Sequence, residues 1–222
     1  MSEIAAFLLL AFAEDSGKNS SDPHLKLLLA ESGMEASVYI MFDQLLKIKL
    51  KEEYKFETKN TIKKNEIPIN KRVHFMMKRL MKHVEPKLFS HLSDLKFEPM
   101  ICCIKWIRLM FLREFQFDQC LIVWDYIFLN IDKKATVIDV KALSRPKTPI
   151  AEKEDSFDVL DWLCVAVLVH LKSKLMSCKT FIDIVTSVQN LPKIENISTI
   201  LSNAINAESN FISSIQRICG GD

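Results

Sequence analysis

The chain has 222 residues, 49% of them hydrophobic, with 30 Lys and Arg against 28 Asp and Glu, a net charge of +2. That length and apolar content bury a sizeable core and exclude intrinsic disorder, and the near balance of charge excludes a global field for nucleic acid. Only 4 glycines and 7 prolines exclude an all-β fold built on tight turns, and 6 irregularly spaced cysteines fit free thiols in a reducing compartment, not a disulfide framework.

Residues 2–14 read as a helix that is apolar nearly all round and so has to be covered on most sides. The run 4–13 mimics the core of a signal peptide, but its short leader carries Glu3 and no Lys or Arg, which is the wrong sign. No apolar run is long enough to span a membrane. A polar break follows at 14–24, then helix over 24–50, interrupted near Ser32 and Gly33. Met34, Val38, Met41, Phe42, Leu45 and Leu46 form its apolar face. Residues 47–72 hold eight Lys and one Arg against four Glu. Such a run reads first as a solvated linker, here 51–70, and second as a contact for an anionic membrane or an acidic partner.

Residues 70–84 are amphipathic, with Val73, Met76, Met77, Leu80 and Met81 facing inward. Glu85-Pro86 ends that helix and starts a short one. Residues 100–128 hold two of the three tryptophans. Ile101, Ile104, Arg108, Phe111 and Phe115 trace one helical stripe, and Leu121, Ile122, Trp124, Asp125 and Phe128 begin another. Asp118 stands where an N-cap belongs, so the expected form is helix, a five-residue elbow over 114–118, and helix. Residues 130–157 read as a flexible insertion, with a brief extended piece near 137–140 and a Thr148-Pro149 pair. Residues 157–176 form the strongest single helix. Residues 179–190 and 196–218 add more amphipathic helices, separated by Pro192.

Trp106, Phe111, Arg113-Glu114-Phe115 and Trp124-Asp125 stand in the order W…F-x-R-E-F…W-D. This order resembles the second half of the TBC domain of Rab GTPase-activating proteins. Leu88-Phe89-Ser90-His91-Leu92 and Glu98-Pro99 resemble the family's approach to that motif. The stretch from Glu35 to Phe42 is similar to its acidic-aromatic helix, and 157–176 to the helix after Trp-Asp. Within the family the chain looks nearest the retromer-associated, endosomal branch. The resemblance implies an all-α array corresponding to the C-terminal portion of the domain. It places a remnant of the first lobe in 1–50, the basic linker in 51–70, and a second lobe in 71–218. It also implies a Rab-type small GTPase as partner, with an endosomal coat protein as a further one. It implies a cytoplasmic location, peripheral on endosomal membranes.

Met1-Ser2-Glu3-Ile4 resembles the end of the family's glutamine motif. On that reading the catalytic Gln, and the catalytic Arg before it, precede Met1, and the chain is a truncated regulator of a GTPase with no catalytic residue of its own. The helix at 2–14 would then have lost neighbours and expose apolar surface. The alternative is a non-catalytic helical module that binds a Rab or an endosomal coat. Gln44, Gln116 and Gln119 lie outside any Tyr-x-Gln-Gly-Met context. No P-loop, G-x-G-x-x-G or G-x-S-x-G is present, so no cofactor is implied. Cys102 and Cys103 are adjacent, expected on different helix faces, and His83 and His91 are eight apart, so no zinc spacing exists. Glu114 and Asp125 could pass for paired carboxylates. Their nearer neighbours are Arg108 and Arg113, and their expected role is a semi-buried ion pair or a cap that fixes the elbow, because an unpaired buried carboxylate is costly.

Overall fold

The computed structural model describes residues 1–16, 21–50, 68–130, 136–137 and 156–219. Among the described residues the fold is all-α apart from one two-residue antiparallel pair. In that pair Thr136 of β1 (Thr136–Val137) faces Phe157 of β2 (Ser156–Phe157). One hydrophobic cluster runs from Ile4 to Ala207.

The first helix, α1 (Ser2–Asp15), buries Ile4, Phe7, Leu8 and Phe12, one stripe at spacings of three and four. It is covered on that stripe and not on most sides: Leu9 and Leu10 are 41% and 57% exposed. A short α2 (Pro23–Leu28) begins after Asp22, whose carboxylate accepts the His24 N–H at 2.8 Å. A 3-10 turn over Glu31–Gly33 fills the expected break. Helix α3 (Met34–Leu45) lies along α1 and runs on as a wide turn, Leu46–Leu50. Val38 and Leu45 are buried, and Met34, Met41, Phe42 and Leu46 pack beside them.

Most of the basic stretch, 51–67, lies outside the described residues, as do 138–155 and with them Thr148. Its two ends do not behave as solvated linker. Pro68 to Asn70 already belong to a helix, and Lys49 and Arg72 turn inward onto acidic partners. Helix α4 (Pro68–Met76), a wide turn (Met77–Met81) and α5 (Lys82–Val84) form one continuous rod. Val73, Met76, Met77, Leu80 and Met81 are all buried along it. The wider π turn lets the adjacent pairs Met76-Met77 and Leu80-Met81 both face the core, and flexible methionines fill the irregular space.

Pro86 opens α6 (Pro86–Asp94), whose His91 Nε2 lies 3.1 Å from both Leu175 O and Cys178 O. Two carbonyl partners make that nitrogen the protonated donor. Then come α7 (Met100–Arg108) and α8 (Phe117–Leu129), the pair joined by the elbow. Helix α9 (Val159–His170) buries every residue from Leu160 to Leu168 and is the centre of the molecule. It stops one residue before α10 (Lys172–Ser177), so the expected single helix is two. Helices α11 (Phe181–Gln189) and α12 (Ile197–Cys219) complete the array, with α12 lying along α9. Asp158 and Thr180 cap α9 and α11 with reciprocal capping boxes to Asp161 and Asp183.

Candidate functional site: the aromatic elbow

The elbow starts earlier than the stripe through Phe115 predicts. Helix α7 ends at Arg108 because Met110 and Phe111 take φ of 47° and 64°. Along α7 Ile101, Ile104 and Arg108 are half-buried, while Cys102, Cys103, Trp106 and Ile107 form the buried face. The Phe111 N–H donates to Trp106 O at 3.0 Å and the Glu114 N–H to Phe111 O at 2.9 Å, closing two tight turns. Two side chains with a Cβ in the left-handed region cost about 1–2 kcal/mol each. The surroundings must therefore hold them there.

Four contacts do so. Trp124 Nε1–H donates to Met110 O at 3.0 Å. Trp106, Phe111 and Phe115 stack in series, with centroids 5.7 and 5.5 Å apart. Cys120 Sγ lies 3.5 Å from Phe115 O. Lys105 Nζ meets Glu114 Oε1 at 2.7 Å, with the Glu114 side chain only 4% exposed. Glu114 thus does form a semi-buried ion pair, with Lys105 as its close partner. Asp125 sits on the exposed side of α8 and takes no part.

Arg113 points outward and pairs with Glu3 of α1, Nε to Oε2 at 2.8 Å and Nη2 to Oε1. Beneath that pair, Phe7 of α1 wedges between Phe117 and Trp124, with centroids 5.2 and 4.6 Å away. The first helix of the chain is therefore clamped on the motif. Gln116, not Asp118, is the N-cap of α8, in a capping box with Gln119. Asp118 sits in the first turn, where its charge suits the helix dipole. Gln119 Nε2 also donates to Ile194 O at 2.6 Å.

So the structure gathers Trp106, Phe111, Glu114, Phe115 and Trp124 into one unit, turns Arg113 to α1 and leaves Asp125 at the surface. Sequence reasoning missed Glu3, Phe7, Lys105 and Met110. Glu3 lies 110 residues from its partner, and Lys105 nine before Glu114, beyond any helical spacing that pattern analysis reads.

A second charged cluster joins the wide turn after α3, the rod and the start of α9. Lys49 Nζ contacts Asp158, and Arg72 Nε meets Asp161 Oδ1 at 2.8 Å. Burial pushes Asp158 up, but Arg72 and Lys49 outweigh it and hold the carboxyl below its ordinary value. Burial of Asp161 is more complete and raises it despite Arg72. The spacing of Asp158 and Asp161 before an apolar run is a legible capping signature. Their cations, 89 and 109 residues away, carry no local signal.

Cys102, Cys103, Cys120, Cys164 and Cys178 are free and buried. Cys102 and Cys103 do not point apart: both are buried, with sulfurs 3.8 Å from each other. Hydrogen bonds with Cys102 and Cys164, together with burial, raise Cys103, and burial takes Cys120 to about 11. These groups remain thiols at neutral pH. Among the described residues no cluster of His, Cys, Asp and Glu suits a metal ion, and no helix is long and apolar enough to cross a membrane.

The Rab-GTPase-TBC domain family model matches residues 1–143, a span that takes in the elbow and both its helices. The TBC1 domain family member 5 homolog B of Dictyostelium discoideum is 25% identical over 126 residues, 57% of this chain and 10% of that protein. The TBC1 domain family member 5 of Homo sapiens is 27% identical over 111 residues, 50% of this chain and 11% of that protein. Its Mus musculus counterpart is 28% identical over 136 residues, 54% of this chain and 17% of that protein. The chain thus spans less than a fifth of the length of these relatives.

Proposed function

The chain belongs to the Rab-GTPase-TBC domain family, and from that premise we infer that it engages a Rab-type small GTPase as part of a GTPase-activating regulator of vesicle traffic. Hydrolysis of GTP builds charge on the transferred phosphoryl oxygens and needs an oriented water. An activator of this family supplies an arginine for the first and a glutamine for the second, and such an arginine is worth roughly 10³–10⁵ in rate. Gln119 donates its amide to Ile194 O, so that side chain is already engaged. On this reading these 222 residues bind the GTPase and do not accelerate it. The setting is the cytoplasmic face of endosomal membranes, in line with the resemblance to the retromer-associated branch.

The observation that carries this reading is the family match running through the elbow, where Trp106, Phe111, Glu114, Phe115 and Trp124 pack as one unit. The exposed Leu9 and Leu10 of α1 favour one variant of it, a non-catalytic module that holds an endosomal coat partner. Single-turnover GTP hydrolysis across a panel of Rab proteins, run beside pulldown of each Rab, tests the main reading. Capture of at least one Rab without acceleration is the expected result. Acceleration by these 222 residues would overturn the inactive state, and capture of none would overturn the partner.

A further inference from the structure

The rod formed by α4, the wide turn and α5 has a second face that the elbow does not use. Seventeen residues of continuous helical backbone, about 25 Å at 1.5 Å per residue, contain no Asp or Glu at all. The methionine-rich side is buried. On the opposite side Lys71, His74, Lys78, Arg79 and Lys82 are exposed, and His83 at the far end sets its ring against Phe211 of α12, centroids 5.1 Å apart. Spacings of three and four line them up in two adjacent rows. Lys71, Lys78 and Lys82 make no ion pair among the described residues, and Arg79 lies over the Phe75 ring at 5.7 Å. The first carboxylate beyond the rod, Glu85, is taken by Lys172 at 2.8 Å. The one cation of the rod that could have been neutralised internally, Arg72, has been: it points in at Asp161.

The geometry points to this face as a docking surface for an anionic phospholipid membrane. Two other occupants fit it less well. A protein interface is anchored by a buried apolar centre and is depleted in lysine. Here the apolar residues of the rod face the other way. Single-stranded nucleic acid asks for rings on which bases stack. Phe75 is half-buried, stacked on Phe157 at 5.0 Å and covered by Arg79. What remains is a lysine-rich strip of helix without a carboxylate of its own. That is the arrangement which gains most from a flat sheet of negative headgroups and needs no stereospecific pocket. Each cation near such a surface is worth roughly a five-fold gain in partitioning, and the whole effect is screened by salt. The inference deepens the peripheral membrane location proposed above and stands apart from recognition of the GTPase.

The test is sedimentation of the 222-residue chain with vesicles of phosphatidylcholine alone or with about 30% phosphatidylserine, at about 0.1 M and about 0.5 M salt. The chain should pellet with the anionic vesicles at low salt only. The variant K71Q/K78Q/R79Q/K82Q should lose roughly 600-fold in partitioning, and K96Q/K193Q, which removes exposed charge elsewhere, should lose little. An unchanged thermal melt followed by circular dichroism shows that the quadruple variant is folded; if it is not, the pair K78Q/K82Q is read in its place. Equal pelleting of the wild type and the folded variant overturns the inference, as does no pelleting of the wild type. Capture by polyglutamate or single-stranded RNA without vesicle binding also overturns it, and reassigns the face to an acidic macromolecule. A chain that ignores vesicles yet still captures a Rab refutes this inference alone.

Discussion

Met110 and Phe111 hold the left-handed turn only because neighbouring atoms outbid the strain, so the turn can be dismantled one atom at a time. Trp124→Phe keeps the ring against Phe7 but removes the N–H that serves Met110 O. It should cost about 1–2 kcal/mol in urea unfolding, the value of a buried bond left half-made. Trp106→Phe should cost less, because the buried Nε1–H of Trp106 has no partner among the described residues. The charged cluster makes a prediction with a sign. Asp158 is held below its ordinary value of 3.8 in the folded chain, so its charge stabilises the fold above that pH. The stabilisation is lost as pH falls through the lower, folded value. Asp161 is held above its ordinary value, so its charge opposes folding at neutral pH, and acid relieves that. Asp158→Asn should therefore cost about 2 kcal/mol at neutral pH, a charge-assisted bond lost while the cap is kept, and Asp161→Asn should cost less. The gap between Asp158→Asn and the wild type should close as the pH of the urea titration is lowered through the folded value of Asp158. A gap that widens in acid would refute the assignment. In the sequence, the motif residues were legible as a set because they are aromatic or charged and lie close together. Their partners were not, because Glu3, Lys49 and Arg72 come from far along the chain.

At the scale of elements, α1 is the piece whose attachment is most exposed to test. It reaches the elbow through a buried ring, Phe7, and a surface ion pair, Glu3 with Arg113. Phe7→Ala should cost about 3–4 kcal/mol, a large-to-small change in a wedge between Phe117 and Trp124. Glu3→Gln should leave the melt nearly unchanged, because water screens an exposed pair. Hydrogen exchange would then show α1 freed in the first variant and protected in the second. Equal loss in both would mean that the ion pair, and not the ring, seats the helix. The helices themselves were legible because their apolar residues recur at three and four, as in Val73, Met76, Met77, Leu80 and Met81. Their ends were not. Nothing in Met110-Phe111 announces a positive φ, since neither residue is the glycine or asparagine that marks one. The helical spacing therefore runs on through Phe115, and the stripe it predicts for the second helix lies one residue out: Cys120, Val123, Trp124 and Ile127 are the buried positions of α8, while Ile122 is 45% exposed. Gln116 was missed as a cap for a related reason, because Asp118 is the stronger capping type and lies only two residues on.

For the whole molecule the question is whether the part that matches the family can fold by itself. The match ends at residue 143, before α9. Yet α9 buries nine consecutive residues, Leu160 to Leu168, and α7, the rod and α12 all pack on it. Full burial of a Leu or Val side chain is worth about 1.5–3 kcal/mol, and a domain's net stability is only about 5–15 kcal/mol. Cutting after residue 143 removes the helix on which α7 and the rod close. It also takes Asp158 and Asp161 from beside Lys49 and Arg72, leaving two inward cations without their acids. Residues 1–143 alone should therefore give no cooperative urea transition and should bind an apolar dye, although they carry the whole W…F-x-R-E-F…W-D motif. The 222-residue chain should unfold in one transition, because Ile4 to Ala207 form a single hydrophobic cluster. Adding residues 144–222 in trans should restore little, since α9 has no solvated face on which to be stored before it docks. A cooperative melt from residues 1–143 would mean that the elbow and α1 form a core of their own, with α9 laid on afterwards. In that case the Phe7→Ala loss should appear at the same size in the short chain as in the long one.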